Sequence, residues 1–263
     1  MKPYWAIFKT RCAVMLQYRT AAVAGFCTQL FWGLILVMLY QALYHSSSGP
    51  KPMTLPQVIS YIWLGQAMLL VLPWSNDRDV IQMIRDGGVG YELIRPVRLY
   101  GMWYSRFLAT KVVPMTMRSI PIFLIAIPFL GLQPPASAAA AIAFAIAMLF
   151  GIMLSTSIVV CMNILFFWTV SGEGLSQLLM VFTFLFSGTY IPLPLLPDWS
   201  QPLVDFLPFR GLMDIPFRLY LGQLPVRELP RLMQGQCLWI IFFVLAGHLL
   251  LRRGLKLVVI QGG

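Results

Sequence analysis

The side chains able to do acid–base, nucleophilic or metal chemistry are few and scattered in this chain. His45 and His248 stand far apart, and Cys12, Cys27, Cys161 and Cys237 occur singly, with no C-x-x-C spacing. Neither a zinc site nor a disulfide framework follows from such spacing, so the cysteines are expected to be packing thiols. No G-x-x-x-x-G-K-[ST] loop, H-E-x-x-H pair or G-x-S-x-G elbow is present, which removes the usual routes to nucleotide, zinc or acyl chemistry. Gly87-Gly88-Val89-Gly90 follows a helical pattern rather than a strand, so it does not read as a phosphate loop. We therefore expect no catalytic residue, no metal and no cofactor bound by this chain.

The elements around these residues explain their scarcity. Of 263 residues, 59% are hydrophobic and 11% charged, against roughly a quarter charged in soluble domains. A soluble globular enzyme is excluded on that balance. Nineteen Lys and Arg against nine Asp and Glu give a net charge of +10, and the basic residues sit beside apolar runs. Membrane lipids, rather than nucleic acid, are the partner this predicts. Lys2, Lys9, Arg11 and Arg19 interrupt the first twenty residues, so no signal peptide is expected.

A hydrocarbon core about 30 Å thick needs roughly 20 apolar residues of helix. Six runs meet or approach that length: Ala21–Tyr44, Leu55–Pro73, Val112–Leu132, Ala138–Trp168, the short Leu175–Tyr190, and Met233–Leu251. No acidic residue falls inside them, which argues against a carrier driven through buried carboxylates. Arg118 lies in the third run, where a central Arg costs about 2.5–3.5 kcal/mol. Eight Ile, Leu and Phe from Ile120 to Leu130 return on the order of 4 kcal/mol, so the span stands. Pro114, Pro121 and Pro128 recur at seven-residue intervals in it and are expected to bend the helix.

Basic residues near span ends favour the cytoplasm. They cluster before the first run, between Ser75 and Lys111 (Arg78, Arg85, Arg95, Arg98, Arg106, Lys111), and after the last (Arg252, Arg253, Lys256). Both termini are thus predicted cytoplasmic. From Ile191 to Leu232, Arg210, Arg218, Arg227 and Arg231 are matched by Asp198, Asp205, Asp214 and Glu228, which leaves an external placement unopposed.

Three segments are neither spans nor simple loops. In residues 1–20, Tyr4, Trp5, Phe8, Cys12 and Met15 share one side of a helix, consistent with an interfacial helix or with an early start of the first span. In residues 75–98, Ser75 or Asn76 is placed to cap a helix, Asp77 and Asp79 suit its first turn, Arg85 its last, and Gly87 its stop. Val80, Ile81 and Ile84 form an apolar ridge on that helix, to be buried against its own bundle or against a partner. In residues 191–231, Pro192, Pro194 and Pro197 break the helix, yet Leu, Phe and Trp persist. That pattern suits a segment dipping into the membrane under protein cover, or an amphipathic helix lying flat outside it.

The run from Ile84 to Val97 (Ile-Arg-Asp-Gly-Gly-Val-Gly-Tyr-Glu-Leu-Ile-Arg-Pro-Val), with Tyr104-Ser105-Arg106, resembles the cytoplasmic loop of type-2 exporter permeases of ATP-binding-cassette transporters. So does the turn Ser187-Gly188-Thr189-Tyr190-Ile191-Pro192 leading to Leu207-Pro208-Phe209. The resemblance covers the chain and implies an all-α membrane protein, residues 1–263 forming one permease domain in the bacterial inner membrane. It implies six transmembrane helices, an N-terminal amphipathic interfacial helix, a coupling helix between spans two and three, and a re-entrant helical pair before span six. It also implies a second permease, identical or related, and two cytoplasmic ATP-binding subunits holding ATP and Mg. Asp77, Val80, Ile81, Ile84 and Arg85 would then couple to the ATPase, with the ridge seated in its groove. Tyr190, Pro192, Trp199, Phe206 and Phe209 would form an outer gate, and spans one, two and five would line the path. A secondary carrier or channel, an intramembrane enzyme and a non-transporting scaffold are the competing functions. The first two would show polar or paired ionisable residues at membrane depth.

Overall fold

The computed structural model describes residues 2–46, 49, 51–74, 77–169 and 173–257. Every regular element among them is helical: α1 (Lys2–Met15), α2 (Arg19–Ser46), α3 (Leu55–Ala67), α4 (Arg78–Arg85), α5 (Val89–Leu93), α6 (Leu99–Phe129), α7 (Ala138–Ile164), α8 (Glu173–Phe186), α9 (Gln201–Phe206), α10 (Asp214–Tyr220) and α11 (Leu229–Gly254), joined by short 3-10 turns. Four are long and apolar enough to cross a membrane: α2, α6, α7 and α11, the last two extended by 3-10 turns. The backbone hydrogen bonds of such helices close within the segment, which is what hydrocarbon demands.

The expected second and fifth spans are shorter than the runs suggested. α3 has 13 residues and α8 has 14, about 20 Å each at 1.5 Å per residue. α3 starts where expected, with the Thr54 N–H donating to Gln57 Oε1 at 2.9 Å. It ends at Ala67 and tightens into a 3-10 turn at Leu69–Val71. The freed carbonyls have side-chain partners: Lys111 Nζ donates to Leu72 O at 2.9 Å and Val71 O at 3.4 Å, and the Ser155 hydroxyl also donates to Val71 O. Lys111 is wholly buried, not the loop residue its position after Arg106 suggested, because α6 begins at Leu99 rather than Val112. α6 also runs unbroken through Pro114, Pro121 and Pro128.

The largest core joins α2, α3, α6, α7 and α10 through Tyr40, Trp63, Leu64, Ile122, Leu154 and Phe217. Trp63 donates its indole N–H to Leu130 O at 2.9 Å and lies flush on Gly33, where a Cβ would meet its ring at 2.5 Å. A second core, at the α4 end, joins Val80, Ile84, Trp103, Phe107, Val160 and Leu251. α1 packs along α6 and leaves Trp5, on its expected interfacial side, exposed. Ile7 packs on the second core. Polar contacts hold α1 in place: Tyr4 Oη accepts from the Arg98 N–H at 3.1 Å, and Arg11 lies 3.8 Å from both Asp77 and Asp79.

Candidate functional site

The residues expected to act on a partner lie in two places, one at each end of the bundle. At the α4 end, Ser75 and Asn76 lie outside the described residues, and Asp77 is the cap. Its carboxylate accepts from the N–H groups of Asp79 at 3.1 Å and Val80 at 3.4 Å, the geometry that short acidic caps provide. Gly87, at φ 71°, lies just beyond the helix end in the left-handed conformation that terminates helices.

Asp77 does more than cap. Arg106 of α6 grips it with two hydrogen bonds, Nε to Oδ2 at 2.6 Å and an NH2 contact to Oδ1 at 2.8 Å, and reaches Asp79 Oδ2 at 2.5 Å. The Asp77 N–H donates to Oδ1 of Asn163, a wholly buried residue of α7. α4 is thus pinned at its first turn to two long helices at once. Planar two-point pairing of this kind fixes orientation as well as distance.

The ridge lies differently from the docking arrangement that the resemblance implied. Val80 is wholly buried and Ile84 is 8% exposed, both packed in the second core against α6 and α7, with Ile81 half-buried on the same cluster. Neither Val80 nor Ile84 is free for a partner's groove; they fasten α4 to its own bundle. The reason is the register of this eight-residue helix: with Asp77 held by α6 and α7, the side chains one and two turns on must face the same way. The solvent face carries Arg78, Gln82 and Arg85. Beyond it stand Tyr91 and Ile94, 76% and 80% exposed. Neither is among the coupling residues that the resemblance implied.

At the other end, the five expected gate residues make separate contacts. Tyr190 stacks on Phe184 with ring centres 4.7 Å apart, and its carbonyl accepts from Tyr40 Oη at 2.9 Å. Phe209 stacks on Phe186. Phe206 meets Trp239 edge-on and accepts the indole N–H on its carbonyl at 3.2 Å. Pro192 is buried and Trp199 exposed. None of these described ring contacts joins two of the five.

α10 is the deepest part of this segment. Asp214, Ile215, Pro216, Phe217, Leu219 and Tyr220 are all buried, against small residues of α7 such as Ala143 and Ala147. Gly151 of α7 packs on the turn before α10, where a Cβ would meet the Gly211 carbonyl at 3.1 Å. An acid does lie inside the bundle, contrary to what the six runs implied, because α10 itself folds in. Asp214 is wholly buried and accepts from Tyr61 Oη at 3.2 Å, with Arg218 at 3.5 Å and Arg210 at 3.9 Å. Burial raises its carboxyl above the usual carboxylate range, and the two guanidinium groups and the Tyr61 hydroxyl offset only part of that rise. Arg210, Arg218 and Tyr61 thus surround the Asp214 carboxylate inside the bundle.

Among the described residues no cluster of three His, Cys, Asp or Glu could hold a metal ion. A search of curated proteins finds no match to the chain. A model of the ABC-2 family transporter proteins does match, over residues 30–262. With its long apolar helices and a match across most of its length, the chain is a multi-pass membrane protein belonging to the ABC-2 transporter family, a permease subunit of the type-2 ATP-binding-cassette class.

Proposed function

We propose that this chain is one half of an ATP-driven exporter: it pairs with a second permease, identical or related, and two ATP-binding subunits dock on the segment running from α4 to Ile94. The reading places both termini and this segment in the cytoplasm of a bacterial inner membrane, with α3 and α8 as short second and fifth spans. The observation that carries it is the pinning of α4. Its inner side is locked to α6 by Arg106 and to α7 by Asn163, while Arg78, Arg85, Tyr91 and Ile94 face outward. Force applied to the outer face reaches two long helices without passing through a flexible joint. Closure of the ATP-binding subunits would tilt those helices between two packed states. The segment from Leu193 to Leu221, seated on α7, would then serve as the outer gate. ATP and Mg belong to the partner subunits in this scheme.

The test is gentle extraction and native mass spectrometry, with Ile94→Asp as the paired variant. Two permease masses with two ATPase masses are expected from the native chain, and loss of the ATPase pair from the variant. A complex without any ATPase would refute the reading.

A further inference from the structure

A cavity of about 360 Å³ opens between α1, α5 and the first turns of α6, within the roughly 300–1,000 Å³ span of small-ligand sites. Its wall has an apolar part, with Ile7, Val14, Met83 and Met102, and a polar part, with Arg11, Glu92, Arg95 and Trp103. Three buried polar atoms of those polar residues have no hydrogen-bond partner: Arg11 Nε, Trp103 Nε1 and Glu92 Oε2. Trp103 is 1% exposed, so its indole N–H cannot turn to bulk water. Buried donors and acceptors are almost always paired, so three unpaired atoms on residues that line one cavity point to a partner there. Two are donors and one is a carboxylate oxygen. The complementary ligand carries an anionic oxygen cluster beside a protonated amine.

The depth of the cavity narrows the source. α6 has 31 residues, about 46 Å of helix against a hydrocarbon core of about 30 Å. With Phe129 set at the far edge of the hydrocarbon, residues before about Thr110 fall at headgroup level, Met102 and Trp103 among them. The apolar wall suits the glyceryl and first acyl carbons of a lipid.

We propose that this cavity binds the phosphoethanolamine headgroup of a phospholipid from the leaflet at the α4 end. The phosphate takes N–H groups from Arg11 and Trp103, and the primary ammonium donates to Glu92 Oε2. Glu92 Oε1 is already engaged by Arg95 at 3.4 Å, and Arg106 by Asp77 and Asp79. The carboxylate disfavours purely anionic heads, and a trimethylated amine has no N–H to give it. The bound lipid would cement α1 and α5 onto α6, steadying the surface next to Tyr91 and Ile94.

The full chain, purified in detergent and stripped of lipid, is incubated with phosphatidylethanolamine, phosphatidylcholine or phosphatidylglycerol of matched acyl chains, and retained lipid is counted by native mass spectrometry. We expect phosphatidylethanolamine to be held roughly tenfold better than the other two, the scale of one charge-assisted hydrogen bond. Glu92→Gln should erase the preference over phosphatidylcholine, and Trp103→Phe, which keeps the ring, should weaken retention of both. Equal retention of the lipids by the native chain, or an undiminished preference in Glu92→Gln, overturns the proposal. Water-soluble phosphoethanolamine is the control for source: competition at concentrations matching the lipid would overturn the lipid assignment, and failure to compete supports it. The readout involves no ATPase, so it stands or falls separately from the exporter reading.

Discussion

Arg106 holds Asp77 by two parallel hydrogen bonds, at 2.6 and 2.8 Å, with both side chains largely buried. That contact ties the first turn of α4 to α6, and every consequence for the α4 end passes through it. Removing one member leaves the other's charge buried without its partner, which costs about 3 kcal/mol. Asp77→Asn is expected to lower the unfolding midpoint in detergent and to speed hydrogen exchange at the α4 amides. Arg106→Lys should fall short of rescue, since an ammonium cannot reproduce the two-point grip.

The burial of Ile84 and the exposure of Ile94 predict opposite phenotypes. Ile84→Ala removes buried methyl groups and should destabilise the chain by about 2–4 kcal/mol. Ile94→Asp should change stability by less than about 0.5 kcal/mol, as exposed substitutions do, yet abolish ATPase binding. Thermal unfolding alongside co-purification separates the two. Intact partner binding in Ile94→Asp would remove this surface from the proposed docking face.

Lys111 is expected to be unreactive towards amine reagents in the folded protein, because it is wholly buried with its ammonium on the carbonyls of Val71 and Leu72. Lys111→Met fills the volume but leaves those carbonyls with less hydrogen bonding, a loss of about 1–3 kcal/mol. Mass-spectrometric labelling and thermal unfolding check the two halves of this expectation.

Gly33 faces the ring of Trp63, which is itself fixed by its bond to Leu130 O. Gly33→Ala puts a methyl group 2.5 Å from that ring, and the indole cannot step aside without losing its acceptor. Overpacking of this kind costs about 1–3 kcal/mol. The expected signature is a lower unfolding midpoint with a red-shifted tryptophan emission.

The amino-acid sequence by itself determined the all-helical membrane character, because runs such as Ala138–Trp168 have no alternative to helix in hydrocarbon. It also located α4, since acids at a helix start, an apolar ridge and a glycine stop are local signals, although the cap proved to be Asp77. The sequence resemblance to type-2 permeases is matched by the family comparison over residues 30–262. Which way the ridge faced was decided only in three dimensions. Val80 and Ile84 have the same pattern whether they meet a partner or their own bundle, and the choice came from Arg106 and Asn163, distant in the chain. Lys111 and Asp214 were illegible for the same reason. A charged residue beside an apolar run reads as a boundary, and only the tertiary contacts supply the carbonyls and guanidinium groups that allow each to be buried. Periodicity reports that a face is apolar, whereas burial depends on what the rest of the chain brings to it.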